Sequence, residues 1–236
     1  TNSLNLAGGL GGSATVTTGD LTVDSSGVVE GSSNVTVTGT GTVNAGATIN
    51  TTGTLQVDGT LTSNAPVTAG QVTVNGAFTT TAAVTGDVQL TGSTWNAQTG
   101  SSLNGNLGAS SANAVLNADG DVTIAPGSTN LADGASLSKS GAGGLDLTGG
   151  FTSGGSAGAA TLAVQEGTVE LADNPNVNLN VADGQVNVGS NMAVHSATVG
   201  GSGSIETGTN RLGLTELGST ETLRSEERRV GKECVS

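Results

Sequence analysis

Leu55-Gln56-Val57-Asp58-Gly59, answered a little further on by Val72-Thr73-Val74-Asn75-Gly76, is the stretch that decides how this chain folds. Two aliphatic side chains placed two residues apart bury one face of an extended strand, and the polar residue between them faces out. Asp-Gly or Asn-Gly then supplies the positive backbone angles that a sharp turn needs. The same unit recurs as Leu21-Thr22-Val23, Val35-Thr36-Val37 and Val88-Gln89-Leu90, with turns at Ser26-Gly27, Gly39-Thr40-Gly41 and Gly86-Asp87. Asp-Gly and Asn-Gly also make good hairpins. An antiparallel meander, however, calls for longer strands and aromatic cross-strand pairs. Stacked coils need neither, because each coil buries its few aliphatics against the coils above and below. The pattern predicts an all-β chain folded as a right-handed parallel β-helix (β-solenoid) of short strands. At about 20 residues per coil, residues 1–210 give roughly ten coils and a rod of the order of 50 Å. The abundant Asn suit side-chain ladders inside such a stack. No cap is legible at either end, so a fragment without caps is expected.

Composition agrees. The 236 residues include 40 Gly, two Phe, one Trp and no Tyr. Core volume must therefore come from Val, Leu, Ile and Ala in thin layers, which favours an elongated shape. Pro occurs only at Pro66, Pro126 and Pro175, and β-branched residues abound, the reverse of a disordered composition. The net charge is −13, from six basic and nineteen acidic residues. Such a surface repels nucleic acid and anionic lipid, and it favours solubility. No apolar stretch approaches the length of a membrane span. Cys234 is the single cysteine, so no intrachain disulfide forms.

Residues 224–236 break every trend of the preceding chain. Charge density jumps and the Gly, Thr and Asn alternation stops. Arg224 to Cys234 resembles the translation of a short-read sequencing adapter, as found at the ends of assembled metagenomic fragments. The stretch is read as a non-native tail and left out of functional reasoning.

Residues 137–171 carry a more specific pattern. Leu137-Ser-Lys139-Ser-Gly141-Ala-Gly143-Gly144-Leu145-Asp-Leu147-Thr-Gly149 is followed, after a loop, by Ala160-Thr161-Leu162-Ala-Val164-Gln-Glu-Gly167-Thr168-Val169-Glu-Leu171. This resembles the autotransporter-associated β-strand repeat of bacterial passenger domains. The family's opening is Leu-x-Lys-x-Gly-x-Gly-x-Leu-x-Leu-x-Gly and its close is Val-x-x-Gly-Thr-Leu. The residues that match are Leu137, Lys139, Gly141, Gly143, Leu145, Leu147, Gly149, Val164, Gly167, Thr168 and Val169, all of structural type. The family's central Asn-x-Tyr is replaced here by Gly150-Phe151 and a Gly- and Ser-rich loop. Ala197-Thr-Val-Gly200-Gly201-Ser-Gly203-Ser-Ile205 resembles the coil that often follows the repeat. The resemblance covers about a third of the chain at motif level. It implies type V secretion, an extracellular or cell-surface location, and an outer-membrane barrel elsewhere in the parent chain. The division expected is 1–135 for Gly/Thr/Asn-rich coils and 136–210 for coils containing the repeat, with 211–223 unassigned and 224–236 the tail.

Candidate chemistry is sparse. Gly154-Gly-Ser156-Ala-Gly158 fits a nucleophile elbow, but no helix follows it, and it reads as a loop. His195 is the single histidine and reads as an outward residue on a strand. Asn117-Ala-Asp119-Gly-Asp121 offers oxygen ligands for Ca²⁺, and Gly141 to Asp146 partly fits a calcium nonapeptide, yet solvated turn acids are the preferred reading. Trp95, Phe78 and Phe151 read as core plugs or loop packers and not as a carbohydrate platform. Thr-x-Thr recurs at Thr15-Val-Thr17, Thr36-Val-Thr38, Thr38-Gly-Thr40 and Thr40-Gly-Thr42. Aligned Thr on one flat solenoid face can bind ice, but these copies are clustered and unevenly spaced, which predicts scattered outward Thr.

The function expected is therefore a structural or adhesive passenger segment, not an enzyme, with no metal and no cofactor. Its partner would be a host, matrix or cell-surface ligand, and not nucleic acid. The rival is a β-helix glycosidase or polysaccharide lyase. A lyase needs a cation beside its substrate, and Lys139 and Arg211 are the candidates in residues 1–223.

Overall fold

The period-two alternation emerges as strand after strand in a computed structural model that describes residues 2–125, 127–154, 160–173 and 176–214. Among these residues there are thirty strands and no helix, and all strand pairings are parallel. The chain winds as a β-solenoid of about 11 turns. Each full turn presents three faces. Thr40–Val43, Thr48–Thr51 and Thr54–Val57 are one turn's contributions to faces A, B and C. Face A is one continuous sheet of 11 strands, from Ser3–Leu6 to Ser196–Val199. In two turns a single strand, Val67–Val74 and then Ala83–Leu90, runs through the corner from face B to face C.

Turn length varies, while pairing along each face stays in step; where Val67–Val74 pairs with Ala83–Leu90 the register shifts at the corner, between Thr68 and Gln71. Ser3 pairs with Asp20, a step of 17; Thr40 pairs with Thr60, a step of 20; Ser136 pairs with Thr161, a step of 25. The surplus residues enter at the corners and leave the ladders intact. Several steps of 17 are why about eleven turns fit where a uniform 20 allows ten.

The core is a set of columns running along the axis. On face A, Leu61 lies against Phe78, Phe78 against Trp95, Trp95 against Leu116, and Leu116 against Lys139. Phe78 and Trp95 stack with ring centroids 6.4 Å apart, and the Trp95 indole N–H donates to the buried Thr80 hydroxyl at 3.0 Å. Phe151 is buried on face C beneath Thr129. All three aromatics are thus interior.

Two expectations fail in instructive ways. Asp58-Gly59 and Asn75-Gly76 join face C of one turn to face A of the next, as stacked coils require, but neither glycine takes the positive φ expected of it. Nor do Asn ladders run inside: among the described residues no Asn is buried, and the interior polar positions are Thr, Ser and Lys139. A threonine hydroxyl can return to a carbonyl beside it, as Thr51 does to Ser33 at 2.7 Å, whereas an amide would need four partners in a narrow lumen. The Asn ladder that does form lies outside, with Asn117 donating to Asn96 at 3.3 Å. The strand ladder passes the 135/136 division in register, and residues 212–214 of the segment left unassigned form a further strand against Met192–Val194. Residues 215–236, including Cys234 and the tail, lie outside the described residues.

The corners depend on glycine because successive turns touch backbone to backbone there. A Cβ on Gly59 would lie 2.0 Å from the Gly39 carbonyl oxygen, and one on Gly76 would lie 1.9 Å from that of Gly59. Gly76→Ala is therefore expected to cost about 1–3 kcal/mol through forced backbone movement. Gly9→Ala, which meets nothing within 4 Å, should leave stability unchanged. Urea midpoints of the two variants against the parent chain check both.

Candidate functional surface

The repeat-motif residues occupy one turn and part of the next. Leu137 and Lys139 lie on Ser136–Ser140 and both point inward. Gly141 and Gly143 turn the corner to face B, where Leu145 and Leu147 are buried, and Gly149 precedes the face C strand Phe151–Ser153. Val164, Gly167, Thr168 and Val169 belong to the following turn. The two halves stack: Leu137 opposes Leu162, Lys139 opposes Val164, Gly144 opposes Thr168 and Leu145 opposes Val169. Of the matched side chains, Thr168 alone faces outward.

Lys139 is fully buried, and its ammonium group reaches the corner beyond its strand. Nζ donates to the carbonyl oxygens of Ser140 at 2.9 Å, Gly141 at 2.6 Å and Glu166 at 3.1 Å. Three protons meet three acceptors, two in its own turn and one in the next. Burial lowers its pKa below the ordinary lysine value, while the charges of Glu166 and then Asp119 oppose that shift. Gly167 is part of the same device. Its φ is +72°, and a Cβ there would sit 2.3 Å from the Gly143 oxygen and 2.8 Å from Nζ. Lys139→Met keeps the apolar stem and strands the carbonyls. It should cost about 2–3 kcal/mol, read as a lowered urea midpoint with unchanged slope.

Acidic and amide side chains at corners play a second recurrent part. Asp20 Oδ1 accepts the Thr40 amide at 3.1 Å, Asn34 that of Thr54 at 2.8 Å, and Asp121 that of Gly144 at 2.8 Å. Asp87 accepts from Asn106, whose own Oδ1 accepts the Ser128 amide at 2.9 Å. Asp183 accepts both the amide and the hydroxyl of Ser202, and these bonds hold its carboxyl below the usual carboxylate range. A depressed folded-state pKa means the contribution is present above the unfolded value and fades as pH falls through the lowered one. The Ser202 amide resonance should titrate with that lowered pKa, and Asp183→Asn should abolish the titration.

The other candidates do not converge. His195 is half-buried at the junction of Met192–Val194 and Ser196–Val199, its amide donating to the Val177 oxygen at 2.9 Å. Asp119 and Asp121 sit at a corner, where Asp121 caps the next turn. Among the described residues no three His, Cys, Asp or Glu side chains gather as a metal cluster. Lys139 is enclosed, and Arg211 lies three turns further along, on the last described coil. The Gly-x-Ser-x-Gly match runs into residues 155–159, outside the described residues. No helix among the described residues is long and apolar enough to cross a membrane.

The outer surfaces differ by face. Face B carries Glu30, Asp146, Glu170 and Glu206 on its strands, and face C carries Asp87. Face C also holds an open groove of about 450 Å³ around Gly108, walled by Gln71, Asp87, Gln89, Asn106 and Asn130. Face A is different. Across its strands from Thr40–Val43 onward the one charged residue is Lys139, which points inward. Its outer positions form two files in register. Asp20, Thr40, Thr60, Ala77 and Thr94 make one; Thr22, Thr42, Thr62, Thr79 and Asn96 make the other. The uneven Thr spacing that predicted scattered residues thus reflects corners of unequal length. Thr15, Thr17 and Thr36 fall on face C, while Thr40 and Thr42 join Thr60 and Thr62 on face A.

Compared with protein-family models, curated proteins and solved structures, the chain has no match. The likeness of residues 137–171 to the autotransporter repeat therefore rests on the motif residues themselves.

Proposed function

We propose that this chain is a structural and adhesive passenger segment of a secreted bacterial surface protein, a rod that holds its faces and corner loops away from the cell. The observation that carries the reading is the motif at 137–171. In this chain its Lys and Gly residues act together as one inter-turn clasp, which gives the matched letters a common structural part. A parallel solenoid and an acidic exterior support it. The apolar core is divided turn by turn along the axis, which suits a chain that folds after export, turn upon turn. Acidic side chains keep the unfolded chain soluble on the way.

The segment works without catalysis in this reading. A lyase would need an exposed cation beside its substrate, and Lys139 is spent on three carbonyls inside the wall. Deleting residues 2–214 in frame from the parent gene should reduce surface display or attachment of the cells that carry it. Unchanged display together with unchanged adhesion would sink the proposal. Turnover of any member of a glycan panel by the purified chain would move the assignment to the carbohydrate-active rival.

A further inference from the structure

The two outer files of face A form a net. Along each strand the paired positions are about 6.6–7 Å apart, and from turn to turn they repeat at about 4.8 Å. Over five successive turns, Asp20/Thr22, Thr40/Thr42, Thr60/Thr62, Ala77/Thr79 and Thr94/Asn96 occupy it. Threonine fills seven of these ten places. The residue between each pair is buried or absent as a side chain, being Leu21, Gly41, Leu61, Phe78 and Trp95 in turn. The outward threonines are consequently held on a backbone anchored from beneath.

Three features narrow what such a net can meet. First, its central hydroxyls are unspent. Inner threonines return to carbonyls, as Thr18 does to Asp20 at 2.7 Å, but the hydroxyls of Thr40, Thr42, Thr60 and Thr62 engage no protein partner among the described residues. Second, the face is uncharged from Thr40 onward although the chain carries −13, so it imposes no strong ionic hydration on what lies against it. Third, the three aromatics are interior, so the face offers no ring for a sugar to stack on. A second copy would bring an equal negative charge with it, which opposes pairing.

From Thr40 onward the net is a rigid, periodic, uncharged array rich in paired hydroxyl and methyl groups, and it fits a partner that is itself a periodic hydrogen-bonding lattice. Each hydroxyl positions one water, each methyl keeps competing orientations away, and the preformed backbone spares the ordering cost. We propose that the threonine net of face A, centred on Thr40, Thr42, Thr60 and Thr62, is an ice-binding surface. The inference is independent of the secretion reading, because it concerns the purified chain and water alone.

The test is partition of the full 236-residue chain into a slowly grown ice hemisphere, with thermal hysteresis measured on the same preparation. The parent chain should enter the ice and shape crystals. Thr42→Lys and Thr62→Lys, which place a cation in the net, should each reduce hysteresis by more than half. Thr36→Lys, on face C, should leave it unchanged. Circular dichroism checks that the variants keep their β-structure. If the lysines unfold the chain, Thr42→Ser and Thr62→Ser remove only the methyls and should show the same loss in smaller degree. Exclusion of the folded parent chain from ice overturns the proposal, as does equal loss from Thr36→Lys. Binding to insoluble cellulose or chitin through these threonines without entry into ice would also overturn it and assign the face to a glycan.

Discussion

Successive turns of this protein meet backbone against backbone, and almost everything else follows from that spacing. With strands about 4.8 Å apart along the axis, a side chain inside the rod touches mainly its counterparts one turn above and below. Columns such as Leu61, Phe78, Trp95, Leu116 are the result. At the corners the same spacing leaves no room for a Cβ, and glycines pile on glycines: a Cβ on Gly105 would lie 2.1 Å from the Gly86 oxygen, and one on Gly127 1.8 Å from that of Gly105. The high glycine content is a consequence of close stacking.

The same constraint sorts the polar groups. Interior hydroxyls bond to carbonyls within reach; corner carboxylates and amides accept the amide of the turn beyond; the ammonium of Lys139 gathers three carbonyls at the corner beyond its strand. These are local repairs of backbone groups that the ladders leave over, and each would be costly to leave unmade. The many acids are therefore largely structural, and their placement at the corners and on the other two faces leaves face A without an outward charge from Thr40 onward.

Much of this was legible from residue order. Val-x-Val and Leu-x-Val units punctuated by Gly announce short half-buried strands, and the poverty of aromatics rules out a thick core. Register was not legible, because it depends on corner lengths that differ from turn to turn. That is why the Thr residues of face A looked scattered along the chain and why Asn was expected inside. The clasp formed by Lys139 was legible only as a matched letter: nothing in Ser138-Lys139-Ser140 says that a charged side chain faces the lumen, since its acceptors come from Glu166 as well as from its own turn. The groove around Gly108 was missed altogether. Its signal, a glycine facing outward between Gln89 and Asn130, is hidden until the three turns are aligned.

Turn lengths between 17 and 25 residues have one more consequence. Every contact in the rod spans roughly one turn, so the chain closes loops of nearly constant size however many turns it has. Growth of the ordered part is then zipper-like accretion, in which the last wound rung is the template for the next. The kinetic penalty that long-range strand pairing imposes on most β proteins is paid in small equal instalments here, and a rod of twice the length would meet no higher barrier at any step.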